Sequence, residues 1–165
     1  MIDGLDGSQR GRVVIVTGGS RSVGRTAVQR LARLGYAVVV NYLHDQPAAA
    51  AIVDAVLEAR GAAVAIRADV ADELDVERLF AQTIEAFGAV GAVVHSVPGQ
   101  VVATSVMAAT VDDFDEMYKT NTRAMLLVNR CAAGQVREGG AIVNVFSSAI
   151  DRSSEGAPST EVTSR

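Results

Sequence analysis

Cysteine is almost missing from this chain: Cys131 stands alone among 165 residues, so no internal disulfide can form and the fold must rest on its core. Its neighbours Leu127, Val128, Asn129 and Arg130 are helix-like, and a buried thiol is expected there. Tryptophan is absent, aromatic residues make up 4%, and the net charge of −4 comes with no block of Lys and Arg. A nucleic acid would find neither an electrostatic track nor stacking platforms. No run of ~18 uncharged apolar residues occurs, and the start of the chain carries Asp3 and Asp6 without an apolar stretch of signal-peptide length. Neither a membrane span nor a secretory leader is expected, and a cytoplasmic location follows. Proline is scarce, with 3 residues against 15 glycines. What is plentiful is apolar surface: 49% of residues are hydrophobic and 21% charged. That is enough for one sizeable core, and the length suits a single domain over 1–165, since one core serves ~100–200 residues.

After a polar lead-in over 1–11, expected to be flexible, Val13-Val14-Ile15-Val16 is a β-branched run closed by glycines and reads as a strand buried on both faces. A helix follows over 24–34, with Ala27, Val28, Leu31 and Leu34 at helical spacing and Gly35 as its stop. The alternation continues with a strand over 37–40, a helix over 48–60 and a strand over 63–68. A helix over 72–87, with Val76, Phe80, Ile84 and Phe87 on one face, leads to a fourth strand over 92–95. A long helix over 111–136 and a fifth strand over 141–146 complete the pattern. Strands alternating with helices imply an α/β fold: a doubly wound, Rossmann-like parallel sheet in the order 3-2-1-4-5. The stretch 147–165, rich in Ser and charge, is expected to form a loop and the start of a helix, so that the chain stops within the architecture.

The first strand runs into Thr17-Gly18-Gly19-Ser20-Arg21-Ser22-Val23-Gly24, directly before a helix. In such a turn, glycines let the backbone approach a pyrophosphate and the helix N-terminal amides face it. A phosphate-binding site is expected here, with a mere tight connection as the bland alternative. The residues Gly19 to Thr26 also approximate a P-loop with Arg25 in place of its lysine. Arginine is forked and bulkier, a poor substitute for a lysine that reaches the terminal phosphates. On that alternative Asp69 would serve a magnesium ion.

Thr17-Gly18-x-x-x-Ser22-x-Gly24 resembles the TGxxxGxG signature of the short-chain dehydrogenase/reductase family, particularly the branch similar to 3-oxoacyl-carrier-protein reductases. Further along the chain, Asp69-Val70, Phe87-Gly88, Thr120-Asn121 and the stretch Val143 to Ser148 also match the family pattern. The resemblance implies an oxidoreductase that binds a nicotinamide dinucleotide and reduces a small-molecule carbonyl. It implies that Gly18, Ser20, Arg21, Val23 and Gly24 hold phosphates, that Asp69 and Val70 hold the adenine, and that Ser96 lines the cofactor's ribose. Asn121 would organise a proton-relay water and Ser148 the substrate carbonyl. For cofactor choice, an NAD enzyme usually ends its second strand in a carboxylate that bonds the ribose 2′-hydroxyl. Here Asn41-Tyr42 is neutral and Arg21 is placed as in similar NADP-preferring members, so NADP(H) is favoured over NAD(H), with Asn41 on the 2′-phosphate side.

Three positions depart from that pattern. Ser22 replaces the middle glycine of the loop and adds a side chain where the backbone should pass close to the cofactor. His95-Ser96-Val97-Pro98 stands where the family has Asn-Asn-Ala-Gly; His95 is expected to be a hydrogen-bonded structural residue rather than a base. Ser148 also fixes the register of the family's YxxxK, and that register puts Glu161 at the tyrosine and Arg165 at the lysine. A free glutamate titrates near ~4.3 and is a proton acceptor at neutral pH. The pair is read either as a solvent-facing ion pair or as a re-purposed site in which Glu161 takes a proton and Arg165 anchors an anion. Two functions therefore stand side by side: an NADP(H)-dependent carbonyl reductase, and a non-catalytic nucleotide-binding or interaction subunit, or truncated remnant, of the same fold. Because the family's later strands are not expected in this chain, the fifth strand should be an exposed edge. A homo-oligomer or a partner chain supplying the missing half would cover it.

Overall fold

The computed structural model describes residues 12–97 and 107–146. Five parallel strands form one sheet, β1 (Val13–Thr17), β2 (Ala37–Tyr42), β3 (Ala63–Arg67), β4 (Val90–His95) and β5 (Val136–Asn144), in the order β3-β2-β1-β4-β5. The helices are α1 (Ser22–Arg33), α2 (Gln46–Glu58), α3 (Glu73–Phe87), α4 (Val111–Met117) and α5 (Ala124–Gln135). A π-helical turn, Tyr118–Arg123, joins the last two. The doubly wound, Rossmann-like arrangement expected from the strand–helix alternation is the one observed.

The alternating faces of the β-branched strands build two cores, one on each side of the sheet. Val13, Ile15, Val39, Ile66 and Val93 pack with Leu79, Phe80, Leu127 and Val128 of α3 and α5. Val14, Val16, Val38 and Val40 pack with Val28, Ile52 and Val56 of α1 and α2. Helix starts are capped by short polar side chains where the sequence supplies them. Asp45 accepts from Ala48 N at 3.1 Å, and Thr110 and Asp113 cap each other's backbone N–H. Gly88, at φ +83°, ends α3 in the left-handed region that a side chain resists.

Several expected boundaries move. Instead of one helix over 111–136, the chain forms α4, the π turn and α5, and Val136 already belongs to β5. The strand begins early because Val136 pairs with Val90 before the ladder resumes at Ala92 and Ala141. The intervening residues bulge out at Gly139, φ +76°. Leu34 and Ile84, expected on buried helix faces, are exposed; Leu79 and Thr83 take the buried places on α3 beside Phe80. Cys131 is half-buried, and its position between α3 and α5 pushes its thiol pKa up by desolvation, helped by Glu77. No helix among the described residues is long and apolar enough to cross a membrane.

Candidate functional site

The strand order reverses between β1 and β4, and in an open parallel sheet the crevice at the carboxyl ends of such strands is where ligands are received. Four segments meet there: the glycine turn after β1, the end of β2 at Asn41, the turn after β3 at Asp69, and His95-Ser96 after β4.

The glycine turn is held by close backbone approach. Gly18 takes φ +61°, and a Cβ there would lie 2.6 Å from the Ser96 carbonyl oxygen. A Cβ on Gly24 would lie 2.4 Å from the Gly18 carbonyl oxygen. Both positions admit only glycine, one through conformation and contact, the other through contact alone. Ser22, in the family's middle-glycine position, adopts φ +47°, the left-handed conformation for which that glycine is suited. Arg21 is the N-cap of α1 and makes no side-chain cap hydrogen bond, so among the described residues the start of α1 has no side-chain cap for its first-turn amides. A phosphate oxygen is the acceptor such a terminus suits. Arg21 and Val23 are exposed beside it, while Ser20 is buried.

Asn41 has a different place from the one expected. It is 2% exposed, and its amide faces inward: Nδ2 donates to the carbonyls of Ala68 at 3.0 Å and Ile66 at 3.3 Å, and Oδ1 accepts from Gly18 N at 3.3 Å. Its own carbonyl accepts from Gly19 N at 2.9 Å. Asn41 is thus a clamp between the glycine turn and β3, and its side chain is spent there instead of on a 2′-phosphate.

At the switch point Thr17 Oγ1 accepts from Ser96 N at 3.1 Å and lies 2.9 Å from His95 Nδ1. The hydroxyl has one hydrogen, and the arrangement that uses it directs it to Nδ1 and leaves the ring proton on Nε2. Burial lowers the His95 pKa to about 4, so the ring is neutral at neutral pH. Asn144, paired in register with His95, has its Oδ1 buried without a hydrogen-bond partner among the described residues. His95 was expected to be hydrogen-bonded, but local pattern does not reveal Thr17 as its partner, since the bond joins side chains 78 positions apart.

Asp69 is half-buried and Val70 buried at the end of β3, with Asp69 Oδ1 accepting from Ala71 N at 2.9 Å. Asn121 lies in the π turn, where its Nδ2 donates to the Met117 carbonyl at 2.9 Å. A π turn inserted in a helix is often a mark of a functional position. Ser148, Glu161, Arg165 and Pro98 lie outside the described residues, so the structure brings the glycine turn, Asp69-Val70 and His95-Ser96 to one edge of the sheet and is silent on the Ser148–Glu161–Arg165 set. Among the described residues no group of His, Cys, Asp and Glu is arranged to hold a metal.

Fold and site together define a doubly wound, Rossmann-like α/β domain with a crevice at the β1/β4 switch point. The short chain dehydrogenase family pattern matches residues 12–159, and the chain belongs to the short-chain dehydrogenase/reductase family. It is 38% identical over 133 residues to versicolorin reductase stcU of Emericella nidulans, covering 81% of this chain and 50% of that protein. With the hydroxynaphthalene reductase-like protein Arp2 of Metarhizium majus it shares 36% over 146 residues, 88% of this chain and 54% of the other. Among solved structures, a short chain dehydrogenase from Burkholderia cenocepacia in complex with NADP matches at a TM-score of 0.84 and 33% identity. That match covers 93% of this chain and 62% of the other. The Serratia marcescens short-chain dehydrogenase/reductase matches at 0.86 and 31%, covering 92% and 62%. The chain spans about half the length of the curated relatives it matches. The family match leaves the P-loop alternative without support.

Proposed function

We propose that this chain binds NADP(H) and belongs to an oxidoreductase that reduces a carbonyl of 3-oxoacyl type. The observation that carries the reading is the tight glycine turn ahead of the uncapped N-terminus of α1, where a Cβ at Gly18 would strike the Ser96 carbonyl and one at Gly24 the Gly18 carbonyl, so that backbone alone lies against the first-turn amides. The pyrophosphate would lie on the first-turn amides of α1, with Ser20 and Val23 flanking it. Arg21, exposed beside them, would pair with the 2′-phosphate through its guanidinium fork. Asp69 would accept from the adenine amino group next to Val70, and Ser96 would line the ribose. The cofactor, once bound, supplies the hydride. Ser148 would hold the substrate oxygen and Asn121 a water on the proton path. The Burkholderia cenocepacia short chain dehydrogenase, solved in complex with NADP, supports the choice of cofactor.

A second reading, a nucleotide-binding subunit without turnover of its own, is favoured by Glu161 in the position of the family's proton-donating tyrosine.

Titrating NADPH against the purified chain, with nicotinamide fluorescence as readout and NADH and ATP as comparators, tests the proposal. NADPH should bind tightest, and Gly24→Ala should weaken it at least about tenfold, since the new methyl meets the Gly18 carbonyl. A folded chain that binds no nucleotide, or prefers ATP, overturns the reading. NADPH oxidation with a β-ketoester separates the two readings: turnover that Glu161→Gln abolishes supports a reductase with a re-purposed site, and binding without turnover supports the subunit.

A further inference from the structure

The chain leaves β3 through a tight turn, Ala68 to Asp72, before α3 begins. Most of that turn is organised by itself. Asp69 Oδ1 accepts from Ala71 N at 2.9 Å, and Asp72 N donates to the Asp69 carbonyl at 3.0 Å. Asp72 also caps α3 by accepting from Asp75 N at 2.9 Å. None of these bonds uses the backbone N–H of Asp69. That hydrogen is taken by Asp75, whose Oδ2 accepts it at 2.8 Å from the first turn of α3. Asp75 Oδ1 pairs with Arg78 at 2.8 Å, and Arg78 Nη2 donates to the Arg67 carbonyl at 3.2 Å. The Asp75 carboxylate therefore has one oxygen on Asp69 and the other on an arginine that is itself fastened to the last residue of β3.

Helix α3 does not need this arrangement for its own start. Asp72 already caps it, and a partly exposed i,i+3 ion pair such as Asp75–Arg78 adds little stability by itself. What the carboxylate adds is a fixed direction for Asp69. The hydrogen bond from the Asp69 backbone, together with Arg78, holds the Asp75 carboxyl below the usual carboxylate range, so it is ionised and a strong acceptor at neutral pH. With its backbone N–H and Oδ1 both engaged, Asp69 is left with Oδ2, which carries no hydrogen bond among the described residues. Asp69 as a whole is half-buried and sits at the carboxyl edge of the sheet, one strand beyond the Asn41 clamp. A carboxylate oxygen accepts and cannot donate, so it distinguishes an amino group from an oxo group at the same place.

We propose that Asp75 is a positioning residue for cofactor selection, holding Asp69 so that its free oxygen reads the exocyclic amino group of the adenine. The inference rests on the NADP(H) reading above and adds to it a residue that touches no cofactor atom. Arg78 assists by keeping the Asp75 carboxylate turned toward Asp69.

The test compares NADPH with its hypoxanthine analogue, in which the adenine amino group is replaced by oxo, by fluorescence titration of the full chain. The wild-type chain should bind NADPH about tenfold to a hundredfold more tightly than the analogue, the range expected for one hydrogen bond to a charged group. In Asp75→Ala that ratio should fall toward one through weaker NADPH binding, with analogue affinity unchanged. Asp75→Asn keeps a carbonyl able to accept from Asp69 N, so it should retain part of the ratio, and it serves as the conservative variant should the alanine form fold poorly. A merely structural role would weaken both ligands in parallel. Parallel weakening, or an unchanged ratio in both variants, overturns the inference. Wild-type binding of NADPH without discrimination overturns the inference and leaves the NADP(H) reading standing. No binding of either ligand by folded wild-type chain overturns that reading and the inference with it.

Discussion

His95 and Ser22 show how single residues carry this site's departures from its family. The ring of His95 is buried against Thr17, and its proton affinity in the folded chain is lowered, with a pKa of about 4 against an ordinary value near ~6.5. Between those values the unfolded chain binds the proton and the folded chain does not. Stability from this residue is therefore complete above pH ~6.5 and is lost as the pH falls toward about 4. The full difference is on the order of 3 kcal/mol. Urea unfolding at pH 7 and pH 4.5 should show a larger loss in the wild-type chain than in His95→Asn, which has no proton to gain. Equal losses would contradict the assignment. Ser22 holds a left-handed conformation at φ +47°. Replacing it by glycine relieves ~1–2 kcal/mol of backbone strain and adds ~0.5–1 kcal/mol of unfolded-chain entropy. Ser22→Gly should raise Tm by about 2 °C and tighten NADPH binding. A lower Tm or weaker binding in a thermal-shift titration would count against a strained loop.

Among the elements, those with pure signals were readable in advance. The runs at Val13 and Ala37 are β-branched, so both became buried strands, and the spacing of the glycine turn between the first strand and helix marked where Gly18 and Gly24 allow close backbone approach. The segment from Val111 to Phe146 was harder. Its helical residues run on without a proline or glycine until Gly134, and nothing in that composition marks the π turn over Tyr118–Arg123. Likewise Arg137-Glu138-Gly139-Gly140 has the composition of a loop. Its extended, bulged pairing depends on Val136 finding Val90 across the sheet. Asn41 was legible as a neutral strand end, which bears on cofactor choice, yet its side-chain direction depends on carbonyls of β3 that lie 25 and 27 positions away. Local pattern reveals which residue occupies the crevice; only the packed sheet decides which way it faces.

At the scale of the whole sheet, the two cores close both faces from β3 to β4, but β5 is an outer strand whose apolar side chains are uncovered among the described residues. Val143 is 48% and Phe146 62% exposed, with Ile142 and Val145 also exposed beside them. An edge of this kind invites pairing. Analytical ultracentrifugation of the chain should find self-association at micromolar concentration, reduced in Val143→Lys; a monodisperse monomer would speak against it. The clamp at Asn41 has a consequence of another sort. Because Asn41 engages the amides of both Gly18 and Gly19 before any ligand arrives, the loop has already surrendered most of its conformational entropy on folding. On the proposed function, a dinucleotide would meet a prearranged turn with little loop ordering to offset, and its association should lean on enthalpy from phosphate contacts.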